Sequence, residues 1–369
     1  MAGTINLYQA VGGAEGCHKL SAAFYARVAR DPVLRPLFPG KSFRCAIEAF
    51  SAFLAQFLGG PSADSQFRWF LSLRESHLRF KIGPQERDAW MHQMTQALDE
   101  VEMEEPLRGA LRNFFEQSSA YLVNHGVVDT PGSLTHPELT CRWELQRRLD
   151  EAVAAVRRGD AGIAGELAET CDRTVLPGLL ALMIASGHPI LLGYVREKLT
   201  RNPSLTQERY AGRTLLHAAS AAGSLTMVEL LLRLGADPNV TDGGGHTPLY
   251  SVGNECVTAG GGDVVRALVR AGAKVDARDG VKHCTALHMA ARRGNVEVAE
   301  VLLDCGADIE SRDSLGDTPL RRSVNCGKTA VAALLLARGA DIHSTGSKGL
   351  TPLLAARSGA MSRLLRYTT

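Results

Sequence analysis

The sequence predicts an all-α protein in two parts: a bundle of amphipathic helices over residues 1–125 and an α-solenoid over residues 145–369. Two observations carry that prediction. Before residue 125, apolar residues recur at helical spacing between glycine and proline breaks, with no alternating strand pattern. After about residue 210, two short motifs recur in phase with a period near 33 residues, and a fixed period of that length marks a repeat architecture. Composition agrees: 369 residues, 45% hydrophobic and 22% charged, are enough for two cores and too apolar for general disorder. With 41 Lys+Arg against 39 Asp+Glu, the net charge of +2 gives no field toward nucleic acid or an anionic membrane.

Taken in order, helices are expected over roughly 5–9, 14–29, 43–58, 66–78, 84–102 and 105–123. The breaks between them fall at Gly12-Gly13, Pro36–Gly40, Gly59-Gly60-Pro61 and Gly83-Pro84. Residues 126–144 are expected to link the two parts, because the run GVVDTPGSLTHP at 126–137 is rich in turn formers. No apolar run reaches the ~18 residues of a membrane span; the longest, over 176–185, is too short. The N-terminal residues lack the basic and apolar segments of a signal peptide, and the eight cysteines are scattered without a CxxC pair. Reduced thiols and a cytoplasmic location are the expectation.

The solenoid is written in Thr214-Leu215-Leu216-His217, which returns as Thr247-Pro248-Leu249, Thr285-Ala286-Leu287-His288, Thr318-Pro319-Leu320 and Thr351-Pro352-Leu353. A second element, Gly235-Ala236-Asp237, returns as Gly272-Ala273-Lys274, Gly306-Ala307-Asp308 and Gly339-Ala340-Asp341. This stretch resembles an ankyrin-repeat array of about six to seven units, degenerate before residue 210. Threonine can cap each first helix and proline is tolerated in its first turn. Gly223, Gly294, Gly327 and Gly359 fall where that helix must reverse, and Cys256–Gly262 is expected to bulge as an insertion. His217 and His288 are expected to brace their repeats by hydrogen bonding.

The histidines before residue 140 are His18, His77, His92, His125 and His136. His77 stands out by its setting, near a helix end amid apolar residues, with Arg74, Arg79 and Lys81 close by. Around it run LYQAVGG at 7–13, AFYARV at 23–28, DPVLRPLFP at 31–39, FLAQFLGGP at 53–61, Phe80–Gly83 and ERDAW at 86–90. In order and spacing these resemble a truncated haemoglobin of the second group, over about 120 residues. The resemblance implies a two-on-two helical sandwich holding haem b, with His77 as the proximal iron ligand. It makes Tyr25 and Trp90 distal hydrogen-bond donors to a bound diatomic gas: O2, NO or CO. It places Phe38 at the haem edge and Ala46 at a small, open gate. Phe50, one turn on, is bulky enough to narrow the pocket or displace ligand, and Arg74, with Arg79 or Lys81 as alternatives, is expected to pair with a haem propionate.

Three functions are compatible with these residues. The first is a gas-binding haem protein whose array holds an unknown protein partner, a gas-responsive adaptor. The second is a haem enzyme removing nitric oxide or peroxide; the chain carries no flavin or nicotinamide fingerprint, so that reading needs an external reductant. The third is an ankyrin scaffold with a vestigial globin. HExxH and GxSxG are absent, and the glycine runs at 243–245 and 260–262 lack the Lys-Ser/Thr of a phosphate loop.

Overall fold

A computed structural model describes residues 6–40, 42–61, 72–101, 103–129, 132–171, 175–346 and 349–367. The chain divides into two compact units, Met1–Ala154 and Ala155–Thr369. Among the described residues both are helical, with no strand beyond a single bridge between Tyr210 and Arg213.

The first unit contains α1 (Leu7–Ala10), α2 (Gly13–Val28), α3 (Arg44–Phe57), α4 (Leu73–His77), α5 (Pro84–Glu100), α6 (Leu107–Leu122) and most of α7 (Pro137–Arg158). Gly12 sets the start of α2: its φ of +94° is left-handed backbone that costs glycine nothing. Residues 66–71 of the expected fourth helix lie outside the described residues. Helix α2 packs on α3 and α5, and α5 on α6, giving the two-on-two sandwich. Leu20, Phe24, Leu54, Leu58, Met94, Leu98, Leu111, Phe114 and Phe115 form its centre, each at most 1% exposed. Full burial of one such side chain is worth about 1.5–3 kcal/mol.

The expected linker behaves differently over its second half. Residues 137–144 are helical, because Pro137 occupies the first turn of α7, where no backbone N–H is needed. Leu139 and Trp143 are 0% and 6% exposed and join the first unit's core. Trp143 meets Phe114 and Tyr121 edge to face, at ring separations of 5.8 Å and 5.3 Å.

In the second unit, helix Ala161–Thr170 precedes paired helices that begin at Leu176, Leu215, Pro248, Ala286, Pro319 and Pro352. The threonine motif acts as read: Thr247, Thr285, Thr318 and Thr351 each accept a hydrogen bond from the backbone N–H three residues on. Gly294 turns the chain with φ at +83°, whereas Gly359 instead opens the last helix, Gly359–Tyr367. The insertion loops only over 256–260, because Gly261 and Gly262 begin the next helix, where Val298 and Glu297 leave no room for a Cβ.

His217 and His288 do brace their repeats. Each accepts its threonine's N–H at Nδ1, at 3.2 Å, and donates from Nε2 across to the next repeat, 3.0 Å from the carbonyls of His246 and Asp317. Both rings are fully buried, and burial holds His217 down at about 4 and lowers His288. The folded state therefore resists the proton that the unfolded chain takes up. Stability from His217 is complete above pH 6.5 and is lost as pH falls toward about 4. His246 has the opposite sign: Asp242, bonded to its ring, raises it, so its contribution fades as pH rises through the folded value. His217→Gln should flatten the fall in the urea midpoint between pH 6.5 and 4. An unchanged slope would remove His217 as the source.

Candidate functional site

The site is built around α4, whose first turn is closed by Ser72, accepting the Glu75 N–H at 3.0 Å. His77, at its last position, places Nδ1 2.8 Å from the Leu73 carbonyl and 2.9 Å from the Ser76 hydroxyl. A carbonyl only accepts, so Nδ1 carries the hydrogen and Nε2 keeps a bare lone pair. Among the described residues no hydrogen bond reaches Nε2. Burial lowers the pKa of His77, helped by the Arg79 charge and opposed by the Leu73 bond and the Asp150 carboxylate. The ring is thus a neutral imidazole of fixed tautomer, the form a metal ion requires.

From His77 a run of aromatic rings crosses the unit. Phe80 lies 6.2 Å from the imidazole, Phe38 5.8 Å from Phe80, and Tyr25, on α2, 5.6 Å from Phe38. Trp90, on α5, stands 5.1 Å from Phe24 and 5.6 Å from Phe115. Phe50, on α3, touches this wall through Phe24, Tyr25, Phe53 and Phe115, at 5.9 to 6.4 Å. The Tyr25 hydroxyl and the Trp90 indole N–H make no hydrogen bond among the described residues, although both side chains are half-buried. Burial pushes the Tyr25 hydroxyl up to about 12, so it remains a protonated donor at neutral pH.

The structure therefore gathers Tyr25, Phe38, Phe50 and Trp90 into one wall and joins His77 to it through Phe80. Ala46 is half-buried on α3, four residues before Phe50. Arg74 is exposed, with its guanidinium over the Tyr121 ring at 5.5 Å. Sequence reasoning assigned no role to Phe43, which closes the wall at 5.6 Å from both Tyr25 and Phe38. Nor did it assign one to Phe80. Both are single aromatic residues outside any periodic run, so only tertiary contact reveals their place.

These residues fit haem. A neutral imidazole with a free lone pair suits iron, aromatic rings suit the faces of a macrocycle, and unpartnered N–H and O–H groups suit a ligand that gains negative charge.

Residues 6–123 match the family described as bacterial-like globin. Residues 199–249 and 254–346 match two families of ankyrin repeats. The chain is 36% identical over 117 residues to Group 2 truncated hemoglobin YjbI of Bacillus subtilis (strain 168), covering 32% of this chain and 87% of that protein. It is 35% identical over 122 residues to human Ankyrin repeat and SOCS box protein 16, covering 33% of this chain. Human Ankyrin repeat domain-containing protein 63 is 28% identical over 181 residues, 45% of this chain. The chain spans only 26% and 46% of the lengths of these two ankyrin proteins.

Proposed function

Because the chain belongs to the group 2 truncated haemoglobins through its first unit, and carries ankyrin repeats behind it, we propose that it is a haem-binding gas carrier or sensor. The first unit holds haem b on His77, and the array offers a surface to a protein partner. Haem, when bound, would be held through His77 and would supply an iron able to bind a diatomic gas, with O2 foremost and NO or CO as alternatives.

The observation that carries this reading is His77: half-buried, neutral, and oriented through Nδ1 so that Nε2 is left for coordination. The chain's own residues do the rest. Leu73 holds the imidazole in one rotamer and tautomer. Phe38, Phe43, Phe50 and Phe80 keep water from the pocket wall, and Tyr25 and Trp90 hold hydrogens ready for the gas. Absorption spectra of the oxidised, reduced and CO-treated protein test the reading. A Soret band that sharpens and shifts with CO supports it, and a purified protein that takes up no haem overturns it.

Tyr25→Phe deletes one donor and keeps the ring. A hydrogen bond worth about 1.4 kcal/mol corresponds to roughly tenfold in rate, so O2 should leave the variant about tenfold faster by stopped flow. An unchanged off-rate would hand the role to Trp90. No disulfide forms between the cysteines among the described residues, in keeping with a reducing, cytoplasmic setting. Among the described residues no helix is long and apolar enough to cross a membrane.

A further inference from the structure

Helix α7 lies beyond the residues that match the globin family, yet it grips the chain on both sides of the segment leading to His77. Arg142 donates to the Phe57 carbonyl at 3.1 Å, at the end of α3. Eight residues on, about 12 Å along the same helix, Asp150 accepts the backbone N–H groups of Leu73 at 2.9 Å and Arg74 at 3.2 Å, at the start of α4. Gln146 gives the same carboxylate a third N–H at 2.8 Å. Asp150 is only 4% exposed, and hydrogen bonds to a buried carboxylate are about twice as strong as neutral ones.

Leu73 is the link. Asp150 holds its N–H and, through the Arg74 N–H, the Leu73–Arg74 peptide, whose carbonyl, on Leu73, accepts from Nδ1 of His77. A peptide fixed at both groups cannot turn without breaking one of them. We propose that Asp150 is a positioning residue for the haem ligand: by anchoring the Leu73–Arg74 peptide it fixes the direction and strength of the hydrogen bond that orients His77. This rests on His77 being the iron ligand. The strength of that bond tunes the basicity of Nε2, and with it the bond to iron.

The test uses the full chain. Asp150→Ala removes the anchor. Asp150→Asn keeps its size while turning an amide NH2 toward at least one of the three N–H donors, which covers the case in which the alanine variant fails to fold. Arg142→Ala breaks the other grip of the same helix and serves as control. Hydrogen exchange of the haem-free protein should show the Leu73 and Arg74 amides opening at least about tenfold faster in the Asp150 variants. In the ferrous haem protein, the iron–histidine stretching band should shift or broaden, and haem should pass to apomyoglobin roughly tenfold faster, the lower end of outer-partner effects. Arg142→Ala should leave the band in place. If exchange quickens while band and transfer stay at wild-type values, Asp150 only caps a helix and the proposal falls. A wild-type protein without the band overturns the ligand assignment itself, a different and distinguishable failure.

Discussion

Replacing His77 with alanine should strip haem from the protein or leave only a weak, shifted Soret band. The partners of a metal-bound histidine are alone worth roughly 10–100-fold in affinity, so loss of the ligand should weaken haem retention by more than 100-fold. The other histidines of the first unit offer no substitute on the same side of the fold. His18, His92 and His125 are exposed, and His136 buries an unpartnered Nδ1 well along the chain from α4. Among them, only His77 combines a half-buried ring, a lowered pKa and an Nδ1 already committed to a carbonyl. Added imidazole should restore the band in His77→Ala by entering the vacated space, and His92→Ala should keep the wild-type spectrum. A wild-type spectrum in His77→Ala would remove His77 as ligand, and with it the reading of the whole first unit.

The helices of both units were legible because their breaks are chemical. Gly12, Gly83-Pro84 and the threonine caps each stop or start a helix for a local reason, and local reasons survive without a structure. Helix α7 was not legible over 137–144. Its buried face runs Leu139, Trp143, Gln146, Asp150, at helical spacing, but two of the four are polar. An apolar count sees half a stripe there, and the turn-rich run before it completes the disguise. Their burial makes sense only once Asp150 is seen taking N–H groups from a helix some 77 residues away in sequence. The same holds for Asp242, Asp279 and Asp313, which each accept backbone N–H groups of the loop that follows them. They recur along the repeats, and that recurrence was the signal available for them. At the site, His77, Tyr25 and Trp90 could be picked out from the motifs, whereas the ring contacts of Phe43 and Phe80 required the fold.

Trp143→Ala should cost the first unit about 3–5 kcal/mol, the range for truncating a buried large aromatic. Three features place it at the upper end. The indole is 6% exposed, so nearly all of its surface returns to water or becomes a cavity. It forms edge-to-face contacts with Phe114 and Tyr121, each worth about 0.5–1.5 kcal/mol beyond area. It also sits between Arg142 and Asp150, so a displaced α7 would loosen both of that helix's holds on α3 and α4. Against a typical total of 5–15 kcal/mol, such a loss is a large fraction of the stability available. The urea midpoint followed at the Soret band should fall accordingly, with the haem-transfer rate rising alongside it. A stability loss below about 1 kcal/mol from that midpoint would mean that the globin stands without α7, and that the helix is a passenger. The predicted drop has a practical corollary: a chain cut at residue 125, where the sequence pattern of the first part ends, would lose Leu139, Trp143 and Asp150 together. It would lack both a side of its core and the anchor of α4.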